Sequence, residues 1–96
     1  MRIDRLLVYL RLARTRSRAA ALIDAGHLRL NGRHVHRISD EVRPGDTLVF
    51  PWGNAVRIIE VISLPTARGS AEIAQSHYRE LDRAGDIAIA TDTNSD

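Results

Sequence analysis

The sequence predicts an α+β fold, in which two N-terminal helices lie on a small antiparallel sheet of hairpins and a short helix follows towards the C-terminus. Three observations predict it. Apolar residues recur at helical spacing in the N-terminal quarter of the chain. The dipeptide Asn31-Gly32 marks a tight hairpin. The connections between the later apolar segments are too short for the crossovers that parallel strands need.

The first helix is predicted over residues 3–12. Its apolar side chains follow the spacing that places them on one buried stripe, namely Ile3, Leu6, Leu7 and Leu10. The charged residues Arg2, Asp4 and Arg5 lie off this stripe. The pattern therefore predicts a helix with one apolar face and one charged face.

The second helix is predicted from residue 17 or 18 to residue 25. Ser17 is the predicted N-cap and Thr15 the alternative, because either hydroxyl can accept an unpaired amide of the first turn. The buried stripe consists of Ala19, Leu22 and Ile23. Gly26 is expected to end the helix in the left-handed conformation.

The hairpin at Asn31-Gly32 is predicted to have a type I′ turn, because both turn positions then need positive φ. A two-residue turn pairs Leu30 with Arg33 and Leu28 with Val35. This register assigns the side chains to two faces: Leu28, Leu30 and Val35 face the core, whereas Arg29, His34 and His36 face solvent or a ligand.

Further strands are predicted at residues 47–51 and 55–64, after a Pro-Gly turn. The centre of the second strand is apolar on both faces, so we expect it to be covered on both sides. A helix is predicted over 70–84, with Ser70 as N-cap and Tyr78 on its buried stripe.

These elements divide the chain into three segments. Residues 1–66 form the predicted main domain, and residues 67–84 form a helical extension. Residues 85–96 form an acidic polar tail that we expect to be disordered.

Composition excludes several classes of protein. The chain has 96 residues, the length of one small domain, and no cysteine, which excludes disulfides and thiolate metal sites. No apolar segment is long enough to span a membrane, and the charged N-terminus does not resemble a signal peptide. His34 and His36 could begin a metal site, but no carboxylate or cysteine partner is evident. The sequence thus predicts a cytoplasmic protein without metal, cofactor or membrane partner.

The positive charge is unevenly distributed. Residues 1–50 contain ten arginines and five acids, whereas residues 51–96 contain four arginines and seven acids. All fourteen basic residues are arginines, a side chain suited to bidentate phosphate contacts. A genome rich in G and C would also favour arginine over lysine. The asymmetry predicts a face that binds a polyanion. The alternative is a solvated arginine surface.

Three arginines, Arg14, Arg16 and Arg18, surround the start of the second helix. Positive side chains there are unfavourable for the helix dipole, but they would reinforce a phosphate site at the helix N-terminus. Further arginines follow at and after the hairpin, namely Arg29, Arg33 and Arg37. Aromatic residues are few, and Trp52 is expected to lie partly buried at a turn, so we predict recognition of structured RNA through its backbone and shape.

The segments RIDRLL, ARTRSRAAALIDAGHLRLNGRHV and SDEVRPGDTLVF resemble the RNA-binding domain named after ribosomal small-subunit protein S4, also called the alpha-L motif. The shared pattern is a Thr-Arg-Ser helix start, a glycine stop, an Asn-Gly hairpin and a Val-x-x-Gly-Asp-x-Leu segment, and it covers residues 2–50. The whole chain is similar to the small bacterial RNA-binding proteins of the heat-shock protein 15 group. That resemblance implies an association with the large ribosomal subunit, in ribosome rescue or recycling or in the heat-shock response.

Carried over by position, the resemblance places the RNA-binding face on Arg2, Asp4, Arg5, Thr15, Arg16, Ser17, Arg18, Asn31, Gly32 and Arg33. Charge alone adds Arg14, Arg29 and Arg37. Other roles stay open: Asp4 stabilises the first helix or orients an arginine, Thr15 and Ser17 act as caps, and Asn31-Gly32 acts as a turn.

The sequence therefore predicts a monomer that binds structured RNA and catalyses no reaction, and the resemblance implies that this RNA is ribosomal RNA of the large subunit. One alternative is an accessory RNA-binding fragment of an RNA-modifying enzyme of the pseudouridine synthase type, because the same domain is appended to such enzymes. No catalytic motif or glycine-rich phosphate loop is evident in the sequence. The other alternative is a protein–protein interaction module that uses the apolar 55–64 strand as an edge.

Overall fold

A computed structural model describes residues 1–81, and the predicted tail at 85–96 lies outside these residues. The described chain contains three helices and five strands in the following order: α1 (Ile3–Tyr9), α2 (Arg16–Asp24), β1 (Arg29–Leu30), β2 (Arg33–His34), β3 (Thr47–Trp52), β4 (Ala55–Val61), α3 (Ala71–Gln75) and β5 (Tyr78–Glu80). The α+β prediction is confirmed. Within residues 1–81, no helix is both long enough and apolar enough to cross a membrane.

Helix α1 buries the predicted stripe but ends earlier than residue 12. Leu10 is the C-cap, and Arg11 takes a left-handed conformation with φ of 62°. A continued helix would place Leu12 opposite Ile3, away from the core. The turn at Arg11 instead buries Leu12, whose amide donates a hydrogen bond of 2.9 Å to the carbonyl of Leu7.

Helix α2 begins at Arg16, with Thr15 as its N-cap. The Thr15 hydroxyl accepts a hydrogen bond of 3.1 Å from the amide of Arg18. The prediction of Ser17 as the cap was wrong, because Ser17 lies inside the first turn, and the alternative is confirmed. The predicted stop at Gly26, with φ of 78°, is also confirmed.

The five strands form one antiparallel sheet in the order β2-β1-β3-β4-β5. The hairpin has the predicted register, with Leu30 opposite Arg33. Asn31 and Gly32 have φ values of 52° and 85°, as a type I′ turn requires. One apolar cluster joins both long helices to this sheet, and its large side chains include Leu6, Leu7, Ile23, Leu28, Leu48, Phe50 and Ile59.

Strand β4 ends at Val61, earlier than predicted. Ile62 follows the strand and is 52% exposed, so the expectation that this segment is covered on both faces was wrong there. The amides of Ile62 and Ser63 both donate to the carbonyl of His77, where the chain leaves the sheet. A shared acceptor replaces the regular ladder at this point.

The helix predicted over 70–84 ends at Gln75, although Ser70 is its N-cap as predicted. Tyr78 belongs to β5 instead of a helical stripe, and it pairs with Val61. Strand β4 offers a free edge there, and hydrogen bonding to that edge outweighs the weak helical pattern of a short segment. The segment predicted as a helical extension thus adds a strand to the main sheet, while the domain boundary at residue 66 stays a prediction.

Candidate nucleic-acid interface

The carboxylate of Asp4 organises the basic surface at the start of α1. Its Oδ2 accepts hydrogen bonds of 3.1 Å from Nη2 of Arg2 and 3.1 Å from Nη2 of Arg16. Its Oδ1 accepts from Nε of Arg2 at 3.2 Å and from the amide of Arg5 at 2.8 Å. We call Arg2, Asp4, Arg5 and Arg16 the Asp4 cluster. Asp4 is only 1% exposed, which corrects the prediction that it lies on a charged outer face.

The charge of Asp4 is retained despite its burial. Burial raises the pKa of the carboxyl, but the hydrogen bonds from Arg2, Arg16 and the Arg5 amide outweigh it and hold the pKa below its ordinary value. The Arg2 and Arg16 side chains stay 38% and 57% exposed. Asp4 therefore both lies in the first turn of α1 and orients two guanidinium groups whose outer sides are open to a ligand.

The loop that follows the hairpin lies against the start of α1. The amides of Ile3 and Asp4 donate to the carbonyls of Asp40 and Ile38, at 2.8 and 3.3 Å. These bonds satisfy two of the amides that a helix N-terminus leaves unpaired. They also bring the exposed Arg37, next to Ile38 in the chain, to the same end of the molecule as the Asp4 cluster.

Arg14 and Arg18 lie apart from Arg16. Successive residues of an α-helix are about 100° apart, so Arg16 and Arg18 point to opposite sides of α2. Arg18 and Arg14 line an open groove of about 290 Å³, whose other lining residues are Leu12, Ala13, Leu22, Phe50, Pro51 and Trp52. We call this feature the α2–β3 groove. Among the described residues, neither arginine forms an ion pair with a carboxylate.

The hairpin tip is held by a bridge to the start of β3. The side-chain oxygen of Asn31 accepts from the Thr47 amide at 2.9 Å, and its amide nitrogen donates to Asp46 at 3.0 Å. Asn31 thus has the structural role that sequence analysis left open for it. The Gly-Asp part of the Val-x-x-Gly-Asp-x-Leu segment supplies this partner, a signal that sequence reasoning did not use.

The remaining predicted residues lie at the hairpin or on the surface. Arg33 is exposed at the tip, and Arg29 donates to the carbonyl of Gly32 at 3.5 Å. Ser17 is exposed in the first turn of α2. Within residues 1–81, no hydrogen bond or ion pair joins the hairpin tip to the Asp4 cluster. The predicted site is therefore divided into three groups: the Asp4 cluster, the α2–β3 groove and the hairpin tip.

Sequence reasoning missed the pairing of Trp52 with Arg57. Trp52 is 46% exposed at the end of β3, more open than the packed position predicted for it. The guanidinium carbon of Arg57 lies 4.8 Å from the centroid of the indole ring. Strand alternation offers the signal: Phe50 and Trp52 share one face, and Arg57 is opposite Phe50 in the neighbouring strand.

His34 and His36 are the two residues that the sequence analysis considered for a metal site. His34 and His36 have ring centroids 6.2 Å apart. Across residues 1–81, no group of three or more histidine, cysteine or acidic side chains is placed to hold a metal ion.

Comparison with known proteins agrees with the fold and the sequence resemblance. The S4 domain family matches residues 1–48, half of the chain. Heat shock protein 15 of Vibrio cholerae, a solved structure described as trimeric, is similar with a TM-score of 0.80 and 28% identity, over 84% of this chain and 81% of that chain. No curated protein sequence matches. The chain therefore belongs to the S4 domain family of RNA-binding domains.

Proposed function

We propose that this protein binds structured RNA without catalysing a reaction, and that its target is ribosomal RNA of the large subunit. Membership of the S4 domain family supports RNA binding. The likeness to heat shock protein 15 supports a role in the heat-shock response, and the sequence resemblance implies a role in ribosome rescue or recycling. The observation that carries the proposal is the basic surface built around Asp4, which keeps two guanidinium groups oriented and open.

The Asp4 cluster suits phosphate binding because its geometry exists before RNA arrives. A free arginine side chain loses rotamer freedom when it binds, and Asp4 has already restricted Arg2 and Arg16. One carboxylate neutralises only part of the charge of two guanidinium groups, so a net positive charge remains. Arg5 adds unpaired charge within the cluster, and Arg14 and Arg18 add unpaired charge in the α2–β3 groove. Such contacts position an RNA backbone and recognise its shape more than its sequence.

The salt dependence of RNA binding tests the phosphate contacts. If about four to six arginines contact phosphates, the slope of log K against log salt is about −3 to −5. The measurement is fluorescence anisotropy of a labelled ribosomal RNA fragment at several salt concentrations. A nearly flat dependence would refute binding through the arginine surface.

Crosslinking in cells tests the identity of the RNA. We expect sequencing of RNA crosslinked to the native chain to recover large-subunit ribosomal RNA, and we expect recovery to be lost with Arg16→Ala/Arg18→Ala. The matched control is Arg79→Ala, which removes an arginine that is paired with Glu60. Equal recovery from the double variant would refute the site, and recovery of other RNAs would refute the ribosomal target.

We further propose that the chain acts in the cytoplasm as a monomer. The Vibrio cholerae relative is described as a trimer, so the oligomeric state is a point on which the two proteins can differ. Light scattering on the purified chain, with and without RNA, measures it. A mass near 10.7 kDa without RNA supports the proposal, and about three times that mass contradicts it.

A further inference from the structure

The α2–β3 groove combines an exposed aromatic ring with unpaired positive charge. Trp52, which is 46% exposed, lines it together with Arg14 and Arg18. The lining residues include no acid. The floor is apolar, because Leu12 and Phe50 are both buried. An occupant therefore needs a flat apolar part and a negatively charged part.

The indole of Trp52 is supported by groups that restrict its movement. Arg57 lies 4.8 Å from the ring centroid. Arg57 is itself held by Glu80, whose two oxygens accept from Nε at 3.1 Å and from Nη2 at 2.7 Å. The ring of Phe50 meets the indole edge-on, with centroids 6.1 Å apart. The aromatic surface is thus in place before a ligand binds.

We propose that the α2–β3 groove binds one unpaired nucleotide of the RNA, with its base stacked on Trp52 and its phosphate between Arg14 and Arg18. This inference rests on the proposed function and adds a base-binding site to a surface that otherwise contacts the backbone. A base offers a planar face to an indole, and stacking of this kind does not depend on which base is present. The groove volume of about 290 Å³ is at the small end of ligand sites, which suits one base better than a helix or a strand.

Two RNA hairpins test the inference. They share one stem sequence, and one carries a single-nucleotide bulge while the other is fully paired. Trp52 is the only tryptophan of the chain, so its fluorescence reports on this groove alone. We expect the bulged RNA to quench that fluorescence and to bind about 5- to 100-fold more tightly than the paired RNA.

Variants of the groove sharpen the test. Trp52→Ala should remove the preference for the bulged RNA over the paired RNA. Trp52→Phe keeps an aromatic face and should keep part of the preference. Arg14→Ala/Arg18→Ala retains the tryptophan, so loss of quenching at an RNA concentration that saturates the variant would assign the phosphate to these two arginines. Circular dichroism checks that each variant folds.

The outcomes separate this inference from the function on which it rests. Equal binding of both RNAs without quenching overturns the groove assignment and leaves RNA binding intact. Failure of both RNAs to bind overturns the proposed function. An acidic peptide containing phenylalanine provides the protein alternative, and stronger quenching by that peptide than by the bulged RNA would also overturn the inference.

Discussion

The side chains of Arg57 and Arg79, on strands β4 and β5, each form an ion pair with a carboxylate, whereas the side chains of eight of the ten arginines in residues 1–50 form none within the described chain. Arg57 bonds to Glu80 through two nitrogens, and Arg79 contacts Glu60 across the same pair of strands. In the first half, the one carboxylate that contacts arginine side chains is the buried Asp4, which serves two of them. These two regions use the same side chain in opposite ways.

The difference shows that the arginines of β4 and β5 have a structural role, whereas most of those in residues 1–50 are left available to a ligand. On β4 and β5, each arginine is neutralised by an acid of the neighbouring strand, and opposite charges stabilise such cross-strand pairs. Hydrogen bonds to Glu80 also raise the pKa of Arg57 above its ordinary range, against the effect of its partial burial. In residues 1–50 most of the arginine charge is left uncompensated, which costs repulsion in the free protein and favours a polyanionic ligand.

The largest expected effect comes from the unpaired arginines. Arg14→Ala/Arg18→Ala should weaken binding to structured RNA about 100-fold, because two charged hydrogen bonds of about 1.5 kcal/mol each are lost. The salt slope should also become shallower by about 2. Arg79→Ala, the paired control, should change the affinity by less than about twofold. Anisotropy titrations check this, and an equal loss in both variants would break the distinction between the two regions.

Next in size is the effect of removing the shared carboxylate. Asp4→Asn should lower the free energy of unfolding by about 2 kcal/mol, because a buried group then loses its charged hydrogen bonds to Arg2 and Arg16. Urea unfolding measures the change. Asp40→Asn is the control, since Asp40 bonds to α1 through its main-chain carbonyl, and this variant should stay within about 0.5 kcal/mol of the native chain. A similar result for both variants would mean that Asp4 has no special role.

Lowering the pH should remove the stabilising charge of Asp4 without a mutation. Burial raises the pKa of Asp4, but its hydrogen bonds lower it by more, so the folded-state pKa lies below the ordinary 3.8. The stability that Asp4 contributes is therefore fully present above that ordinary value, and it is lost as the pH falls through the lower folded-state pKa. Melting temperatures between about pH 6 and pH 2.5 should fall less steeply in Asp4→Asn than in the native chain. Parallel curves would contradict the assignment.

A smaller effect separates the two hydroxyl residues at the start of α2. Thr15→Ala should destabilise the protein by about 1 kcal/mol, because its hydroxyl caps α2. Ser17→Ala should change the stability by less than about 0.5 kcal/mol, since Ser17 lies exposed within the helix. Thermal unfolding of the two variants side by side provides the measurement. The reverse order would restore Ser17 as the cap.

The smallest effect is expected for the exposed pair of Arg79 and Glu60. A double-mutant cycle with alanine should give a coupling energy of about 0.2–1 kcal/mol, because solvent screens such pairs. The coupling should decrease when salt is added. A coupling well above this range would show that the pair stabilises the sheet more than an exposed ion pair does, and would sharpen the contrast with residues 1–50.

Local patterns predicted much of the fold. The stripe of α1, the hairpin register and the stop at Gly26 follow from periodicity and from turn residues that require positive φ. Strand β5 was not predicted, because three residues contain too little pattern and the segment becomes a strand only where the edge of β4 is available. The choice between Thr15 and Ser17 was also open, because both carry a hydroxyl and the direction in which the chain enters α2 decides between them.

The candidate site, like the fold, could be predicted from the sequence only in part. The sequence by itself determined which residues are basic, where α2 exposes its N-terminus and how the hairpin turns, because these properties depend on neighbours in the chain. Only the tertiary structure decided that Asp4 is buried under Arg2 and Arg16, that Asn31 bridges to Asp46, and that Trp52 lines one groove with Arg14 and Arg18. These contacts join residues that are distant in the chain, and the packing of α1 on α2 and of β1 on β3 brings them together.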